Sequence, residues 1–168
     1  EGLLEVGTNV TDIGLSPTPL LYYSCLKNNA SGGIMITGSH NPKDHNGFKF
    51  VLNNMPFYGD DLIEISENSK KFSFKSANGK RTYECFKNDY MNRIFEGTDL
   101  KKKLKIAWDA GNGVAGELMS KIAKKINNQN FLLFENVDGN FPNHHPDPSN
   151  PKNLKDCINL IIQEKLDL

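Results

Sequence analysis

The sequence predicts an α/β protein with two domains, each built from a mixed β-sheet flanked by helices. Short apolar runs rich in β-branched residues, for example at residues 34–36, have the length of buried strands. Segments with apolar residues at helical spacing separate these runs, and such alternation is typical of α/β domains. We expect a first domain over residues 1–82. A connecting helix and the second domain then occupy residues 83–168.

The first domain is predicted to contain a strand, a helix and further strands in close succession. Pro17 and Pro19 flank the start of the first helix, and an Asn-Gly pair at Asn78 indicates a hairpin. Asp60 is a suitable N-cap for a second helix. The predicted elements are a glycine-interrupted strand over 3–14, a helix over 18–28, strands over 34–36 and 48–52, a helix over 61–70, an edge strand over 72–74 and a hairpin at 77–80.

The second domain repeats the order of strand, helix and strand. Three consecutive lysines at 101–103 mark the junction before it, and we interpret them as a solvated surface turn rather than a binding site. Asn150 and Pro151 indicate the start of the last helix. The predicted elements are a helix over 83–95, a strand over 105–109, a helix over 117–126, a strand over 131–137, a polar loop over 138–148 and the final helix.

Composition excludes several classes of protein. Lys and Arg together number 20, as do Asp and Glu, so the net charge is zero and binding of nucleic acid through bulk charge is not expected. The three cysteines are widely spaced and odd in number, which favours a reducing, cytoplasmic compartment over a disulfide framework. There is no apolar run of membrane-spanning length and no basic leader, so we expect no membrane association.

Both ends of the sequence are abrupt. The chain begins at Glu1 without an initiator Met and runs directly into a predicted element. At the other end, Lys165 to Leu168 resemble a helix that ends as a new strand begins. We therefore expect both domains to be incomplete, as in a piece of a longer protein.

The loop over residues 37–44 is the principal candidate for chemistry. The predicted strand at 34–36 leads into Thr-Gly-Ser-His-Asn-Pro, and Asn-Pro is a turn signal. Ser39 is a candidate nucleophile or carrier of a phosphoryl group, with His40 and Lys49 as neighbouring donors or acid/base groups. From the residues alone, an incidental polar turn is about as good an interpretation as catalysis.

A second loop, Gly111 to Gly116, offers a different function. Its glycines match G-x-G-x-x-G between a predicted strand and a predicted helix, and Glu135 follows about 20 residues later. This pattern is typical of dinucleotide binding, with Gly111, Gly113 and Gly116 near the pyrophosphate. The alternative is that the glycines only permit a tight strand-to-helix turn, and this alternative is favoured.

His144 and His145 are a weaker candidate for a metal site. Adjacent histidines do not easily face one ion, and Asp147 is the one nearby acidic residue at ligand spacing. We interpret the pair as part of a structural loop.

Taken together, several motifs resemble the α-D-phosphohexomutase family, and most of all its bacterial phosphomannomutase/phosphoglucomutase branch. Thr-Gly-Ser-His-Asn-Pro at 37–42, followed by Asn-Gly-Phe-Lys at 46–49, is similar to the active-site loop of that family. Further stretches agree with the family in order along the chain: residues 14–19, 109–116, 137–148 and 153–156.

The resemblance implies a mutase that interconverts hexose 6-phosphate and hexose 1-phosphate of mannose or glucose. Ser39 would carry the phosphate, and a phosphate oxygen on Ser39 would help to hold Mg²⁺. His40 and Lys49 would assist proton transfer, with Lys49 the better acid/base group. A hexose 1,6-bisphosphate would be the intermediate, and glucose 1,6-bisphosphate the activator. Sugar phosphates would be the partners. The cytoplasmic location is the one that the cysteines favour, and the oligomeric state is not predicted beyond a slight preference for the monomer.

The resemblance also has consequences for the other hypotheses. It makes the loop of Gly111 a structural turn of the second domain. The aspartate-rich metal loop of the family is not in this sequence, so we expect the chain by itself to be inactive. A non-catalytic interaction domain is a further alternative, but Ser39, His40 and Lys49 together argue against it.

Overall fold

The computed structural model describes residues 1–98, 103–126 and 129–168. Two compact units make up the chain: residues 1–36 with 48–88, and residues 37–47 with 89–168. Helices flank parallel and antiparallel sheets in these units, so the predicted mixed α/β fold class is confirmed. Lys101 and Lys102 of the predicted junction lie outside the described residues.

The first unit alternates short strands with helices. Its central helix begins at Thr18, close behind Pro17, and is one residue shorter than predicted. The elements are α1 (Gly2–Glu5), β1 (Val10–Asp12), α2 (Thr18–Lys27), β2 (Gly32–Ile36), β3 (Phe48–Leu52), β4 (Met55–Phe57), α3 (Asp60–Ser69) and β5 (Arg81–Tyr83).

Two sheets lie in the first unit. β2, β3 and β4 form an antiparallel sheet in that order, with Met35 opposite Lys49 and Ile36 opposite Phe48. β1 and β5 form a separate parallel pair. β1 and β2, which were predicted to belong to one strand-helix-strand unit, are therefore in different sheets.

The core of the first unit lies between α2 and the antiparallel sheet. Leu21 and Cys25 of α2 pack with Val51 of β3, and Met35 of β2 contacts this cluster. Leu20 is the most deeply buried large side chain, with no exposed surface. Since side chains alternate along a strand, the opposite face of the sheet carries Ile34, Ile36 and Phe48, which are all exposed.

Several predictions for the first unit are wrong. Residues 2–5 form a helical turn instead of a strand, because a short apolar run has no periodicity that separates the two. Phe72 and Phe74 are not in a strand, and Ala77 pairs in parallel with Val6 instead of forming a hairpin. The predicted helix over 83–95 includes the end of strand β5.

The cap predicted for α3 also differs. Asp60 is the first helical residue, and the N-cap position belongs to Gly59. No side-chain hydrogen bond caps this end of α3. Asp60 and Asp61 nevertheless lie in the first turn, where a negative charge is favourable next to the helix dipole.

The second unit has the strand, helix and strand that the sequence predicts. β6 coincides with the prediction, while β7 ends four residues before the predicted strand does. After the connecting helix α4 (Lys87–Phe95), the elements are β6 (Lys105–Asp109), α5 (Gly116–Lys125), β7 (Gln129–Leu133), a 3-10 turn (Pro151–Leu154) and α6 (Lys155–Glu164).

β6 is the centre of the second unit. It pairs in parallel with β7, with Asp109 opposite Leu133. On its other edge the backbone of Ala107 donates to the carbonyl of Leu168, and Leu168 N lies 3.3 Å from the carbonyl of Lys105. Residues 167 and 168 therefore lie beside β6, although they are not assigned to the strand that the sequence predicts to begin there.

The final helix begins later than predicted: Pro151 starts a 3-10 turn, and α6 itself begins at Lys155. Asn150 is the N-cap of the 3-10 turn that leads into the helix, and its side chain accepts a hydrogen bond from the backbone of Lys152 at 3.1 Å. Of the helices in the described ranges, none combines the length and the apolar character that crossing a bilayer requires.

Candidate active site

The loop over residues 37–47, called the serine loop below, joins the ends of β2 and β3. Its neck is closed by the backbone of Thr37, which donates to the carbonyl of Gly47 at 2.9 Å. Two turns follow each other inside it: Asn41 N donates to the carbonyl of Gly38, and His45 N donates to the carbonyl of Pro42. A tight loop with this turn chemistry was predicted from Asn-Pro.

Gly38 is needed for the close fold of the serine loop. A Cβ atom at this position would lie 2.7 Å from the carbonyl oxygen of His45. The backbone segments on either side of the two turns can therefore approach each other only because residue 38 has no side chain.

Ser39 has an unusual backbone conformation. Its φ of +53° lies in the left-handed region, which residues other than glycine rarely occupy. The hydroxyl oxygen of Thr37 accepts a hydrogen bond from the backbone of Ser39 at 2.9 Å and helps to hold this geometry. The side chain of Ser39 is exposed. Strained residues of this kind are often found at functional sites.

The positive groups of the serine loop face polar groups of a second loop in the same unit. Lys43 Nζ lies 3.4 Å from the amide oxygen of Asn140. The pKa of Asp147 is below its ordinary value, first because Ser149 donates two hydrogen bonds to it and to a smaller extent because of the charges of His40 and His145. His40 therefore lies in the electrostatic field of Asp147.

Lys49 is described with the first unit. It is the second residue of β3, opposite Met35 in the ladder, and its side chain is exposed. Ser39 and His40 share the serine loop, whereas Lys49 lies on the strand to which that loop leads.

In the turn at residues 110–116, between β6 and α5, backbone amides donate hydrogen bonds to other groups of this chain. The amide of Gly111 donates to the carboxylate of Asp109, and that of Asn112 donates to the carbonyl of Phe134. The amides of Gly113 and Gly116 donate within the turn. These four groups are the ones that a dinucleotide-binding loop would direct at a pyrophosphate. Their engagement argues against the dinucleotide hypothesis and favours a structural turn.

Asn112 connects this turn with the loop that follows β7. It is buried at 6% exposure with a φ of +57°. Its amide group donates to the carbonyl of Asn136 at 2.9 Å, and its amide oxygen accepts from Asn143 at 2.8 Å. A buried polar side chain with all these partners fixes the two segments to each other.

His144 pairs with Asp109 at the end of β6. Its Nε2 atom lies 3.1 and 3.2 Å from the two carboxylate oxygens, and the side chains are only 13% and 11% exposed. The ring also packs edge-on against Phe134. His144 thus has a structural partner, as the interpretation of 144–145 as a structural loop requires.

The described residues do not by themselves supply a metal site. In the ranges 1–98, 103–126 and 129–168, no three His, Cys, Asp or Glu side chains are grouped so that they could hold an ion. Ser39, once phosphorylated, would offer phosphate oxygens as ligands, which suit Mg²⁺. The donor set of the described residues is too small for the ion, and we derive no step through it.

Comparison with known proteins identifies the family. The model of phosphoglucomutase/phosphomannomutase α/β/α domain I matches residues 1–76, and the model of α/β/α domain II matches residues 88–168. The chain belongs to the phosphoglucomutase/phosphomannomutase family. The resemblance inferred from the motifs is confirmed.

Relatives in this family match nearly the whole chain. A phosphoglucomutase of Neisseria meningitidis serogroup A is 43% identical over 94% of the chain and 35% of its own length. A phosphomannomutase/phosphoglucomutase of Pseudomonas aeruginosa is 38% identical over 100% of the chain and 36% of its own length. The chain therefore spans about a third of the length of the curated relatives it matches.

Solved structures agree with the fold. A crystal structure of a phosphoglucomutase/phosphomannomutase family protein from Burkholderia thailandensis has a TM-score of 0.87 and 38% identity, and the match covers 95% of this chain and 37% of that one. A structure from Thermus thermophilus has a TM-score of 0.79 at 23% identity, with 95% and 38% covered, and shows the same fold.

The sequence did not predict the contacts that surround the serine loop and the turn after β6. Asp109 and His144 are 35 positions apart, and the position of Asp109 at the end of a predicted strand was the one available signal. Asn112, Asn140 and Asn143 occur in polar loops, where asparagines are common for other reasons.

Proposed function

We propose that the protein to which this chain belongs is a hexose phosphate mutase with Ser39 as its phosphate carrier. The observation that carries the proposal is the match of both domain models of the family along this chain. Ser39 supports it further, since an exposed serine in a strained conformation lies at the position where the family motif has its phosphoserine.

The proposed reaction consists of two phosphoryl transfers. In the first, the P–O bond to Ser39 Oγ breaks and a new P–O bond forms to the free hydroxyl of a hexose monophosphate. The sugar hydroxyl loses a proton, and Ser39 Oγ regains one. In the second, the other P–O bond of the resulting hexose 1,6-bisphosphate breaks at the sugar oxygen and a P–O bond to Ser39 Oγ forms again. Ser39 Oγ loses its proton, and the released sugar oxygen gains one. The net change is the isomerisation of hexose 6-phosphate to hexose 1-phosphate.

Positively charged groups have the supporting roles. Phosphoryl transfer needs positioning and neutralisation of negative charge more than covalent assistance. His40 is assigned to the phosphate on Ser39. Lys49 is assigned to the proton that moves to and from the sugar hydroxyl. Mg²⁺ and glucose 1,6-bisphosphate are the cofactor and activator that the resemblance implies, and mannose and glucose phosphates are the proposed substrates.

Phosphorylation of Ser39 tests the proposal directly. The full-length protein is incubated with glucose 1,6-bisphosphate, and the modified residue is located by peptide mass spectrometry. We expect phosphate on Ser39, and none after Ser39→Ala. Ser31→Ala is the matched control, because Ser31 is also exposed and lies just before β2, and it should leave phosphorylation of Ser39 unchanged. A protein that remains unmodified at Ser39 would refute the proposal.

A further inference from the structure

His144 lies between two hydrogen-bond acceptors. Its Nε2 atom faces the carboxylate of Asp109 at 3.1 Å, and its Nδ1 atom lies 3.0 Å from the carbonyl oxygen of His145. A carbonyl oxygen and an ionised carboxylate have no proton to donate. Both contacts are hydrogen bonds only if both ring nitrogens carry hydrogen, that is, if the ring is the imidazolium cation.

The charged groups around His144 favour this cation. Asp109 lies at the end of β6, and Asp156 of α6 adds a second negative charge. Burial acts to lower the pKa of His144, but the hydrogen bond to the His145 carbonyl and the bond and charge of Asp109 outweigh it, so the pKa is raised. Cys157 of α6 also faces Asp109, and burial raises the pKa of its thiol, which keeps it neutral.

The loop that carries His144 contacts both the turn after β6 and the serine loop. It is anchored to Asn112 of that turn at two points: the side chain of Asn143 donates to the amide oxygen of Asn112, and the backbone of Asp138 donates to the carbonyl of Asn112. Between these two anchors, the amide oxygen of Asn140 faces Lys43 Nζ of the serine loop. All of these residues belong to the second unit. Asn140 is tied to the anchor at Asp138, because its backbone and its side-chain amide donate to the carboxylate of Asp138 at 2.9 and 3.2 Å. The position of Asn140 therefore depends on how firmly residues 138–144 are attached.

We propose that His144 is a positioning residue: its doubly protonated ring fastens the loop over residues 138–149 to Asp109 and thereby holds Asn140 against the serine loop. The proposal rests on the proposed function, since it assigns an effect on the loop that bears Ser39. Loss of one ring proton leaves a nitrogen lone pair facing an acceptor. The attachment then weakens, and both loops gain mobility.

The direction of the pH dependence follows from the raised pKa. A histidine whose pKa is higher in the folded state than in the unfolded state stabilises the fold fully below the unfolded value of about 6.5. This stabilisation is lost as the pH rises through the folded value. The loop is thus fastened under acidic conditions and loosens on the alkaline side.

The first measurement is the titration of His144 in the full-length protein with labelled histidine, followed by NMR. His144→Gln identifies the signal by its loss. We expect hydrogen on both ring nitrogens below the transition and a transition above pH 6.5. His145 is exposed, and His145→Gln is the matched control that should leave the titration of His144 unchanged.

Asp109→Asn provides the critical variant. Its amide oxygen can still accept from Gly111, and its NH₂ group can donate to Nε2 of a neutral His144, so the local geometry is retained. We expect the transition of His144 to move to lower pH, because the carboxylate charge that helps to raise the pKa of His144 is then missing. Hydrogen-exchange protection of residues 138–149 and of 38–41 should decrease by up to about tenfold per pH unit above the transition in the native protein. In Asp109→Asn, the protection of both segments should not change with pH across the same range.

Three results would overturn the proposal. These are a transition of His144 at or below pH 6.5, an identical pH dependence of exchange in Asp109→Asn, and a change of protection in 138–149 that leaves 38–41 unaffected. None of these measurements uses turnover. A failure of Ser39 phosphorylation is therefore distinguishable from a failure of the role assigned to His144.

Discussion

Single residues determine how closely the segments of the second unit approach each other. Gly116 begins α5 in contact with the backbone that follows β7. A Cβ atom at this position would lie 1.8 Å from the carbonyl oxygen of Glu135. A contact of this kind cannot be relieved by moving a flexible side chain, because the obstructing atoms are backbone. The glycine that the dinucleotide pattern singles out is thus required by packing.

Replacement of Gly116 tests this requirement. We expect Gly116→Ala to destabilise the second unit by about 3 kcal/mol or more, since the backbone must shift to admit the methyl group. Unfolding of the 168-residue chain in urea can be followed by the fluorescence of Trp108, its one tryptophan, which lies in β6.

Gly139 offers a matched control in the same unit. A Cβ atom there has no atom within 4 Å, and its φ is not positive. Gly139→Ala should change stability by no more than about 0.5 kcal/mol. Equal effects of the two substitutions would contradict the packing argument.

At the scale of the elements, the cap of the 3-10 turn that leads into α6 has an energetic test. Asn150→Ala removes the acceptor for the backbone of Lys152, and we expect a loss of about 1 kcal/mol. The amides of α6 should then exchange hydrogen roughly fivefold faster. Asn150→Asp keeps an oxygen acceptor and should remain close to the original rate. An unchanged rate in Asn150→Ala would show that the cap contributes nothing.

Local sequence patterns predicted the bounds of some elements but not how the strands pair. α2 and β6 were predicted to within a residue, because Pro17 fixes one start and β-strand composition defines the other element. The pairing of strands was not predictable in the same way. β2 and β3 lie on either side of the serine loop, as expected, but the sequence did not predict that they pair with each other in antiparallel orientation. Which strands pair depends on distant chain segments, and local composition carries no information about that.

In the candidate site, too, the sequence predicted the local motif but not the contacts between distant residues. The motif predicted a loop bearing Ser39 and His40, and the structure has that loop. The strained φ of Ser39 and the pairing of Asp109 with His144 were not foreseen. The first arises from turn hydrogen bonds inside the loop, and the second from a contact between residues that are far apart in the sequence.

At the scale of the whole molecule, family membership predicts what this chain can do alone. It spans about a third of the length of its relatives, and its described residues hold no cluster of metal ligands. We also expect from the resemblance that the aspartate-rich metal loop is not part of this sequence.

We therefore expect no conversion of glucose 1-phosphate by the isolated 168-residue chain, even with Mg²⁺ and glucose 1,6-bisphosphate present. The full-length protein under the same conditions should convert it, and circular dichroism of the isolated chain should establish that the lack of activity is not due to unfolding. Turnover by the isolated chain that disappears in Ser39→Ala would contradict this expectation.

The left-handed backbone at residue 39 also restricts which amino acid can occupy the position. Threonine also has a side-chain hydroxyl to which a phosphoryl group can be attached. Its extra methyl group, however, makes it a β-branched residue, and such residues are strongly disfavoured at positive φ. The backbone conformation at residue 39 therefore favours serine over threonine, independently of any contact with a substrate.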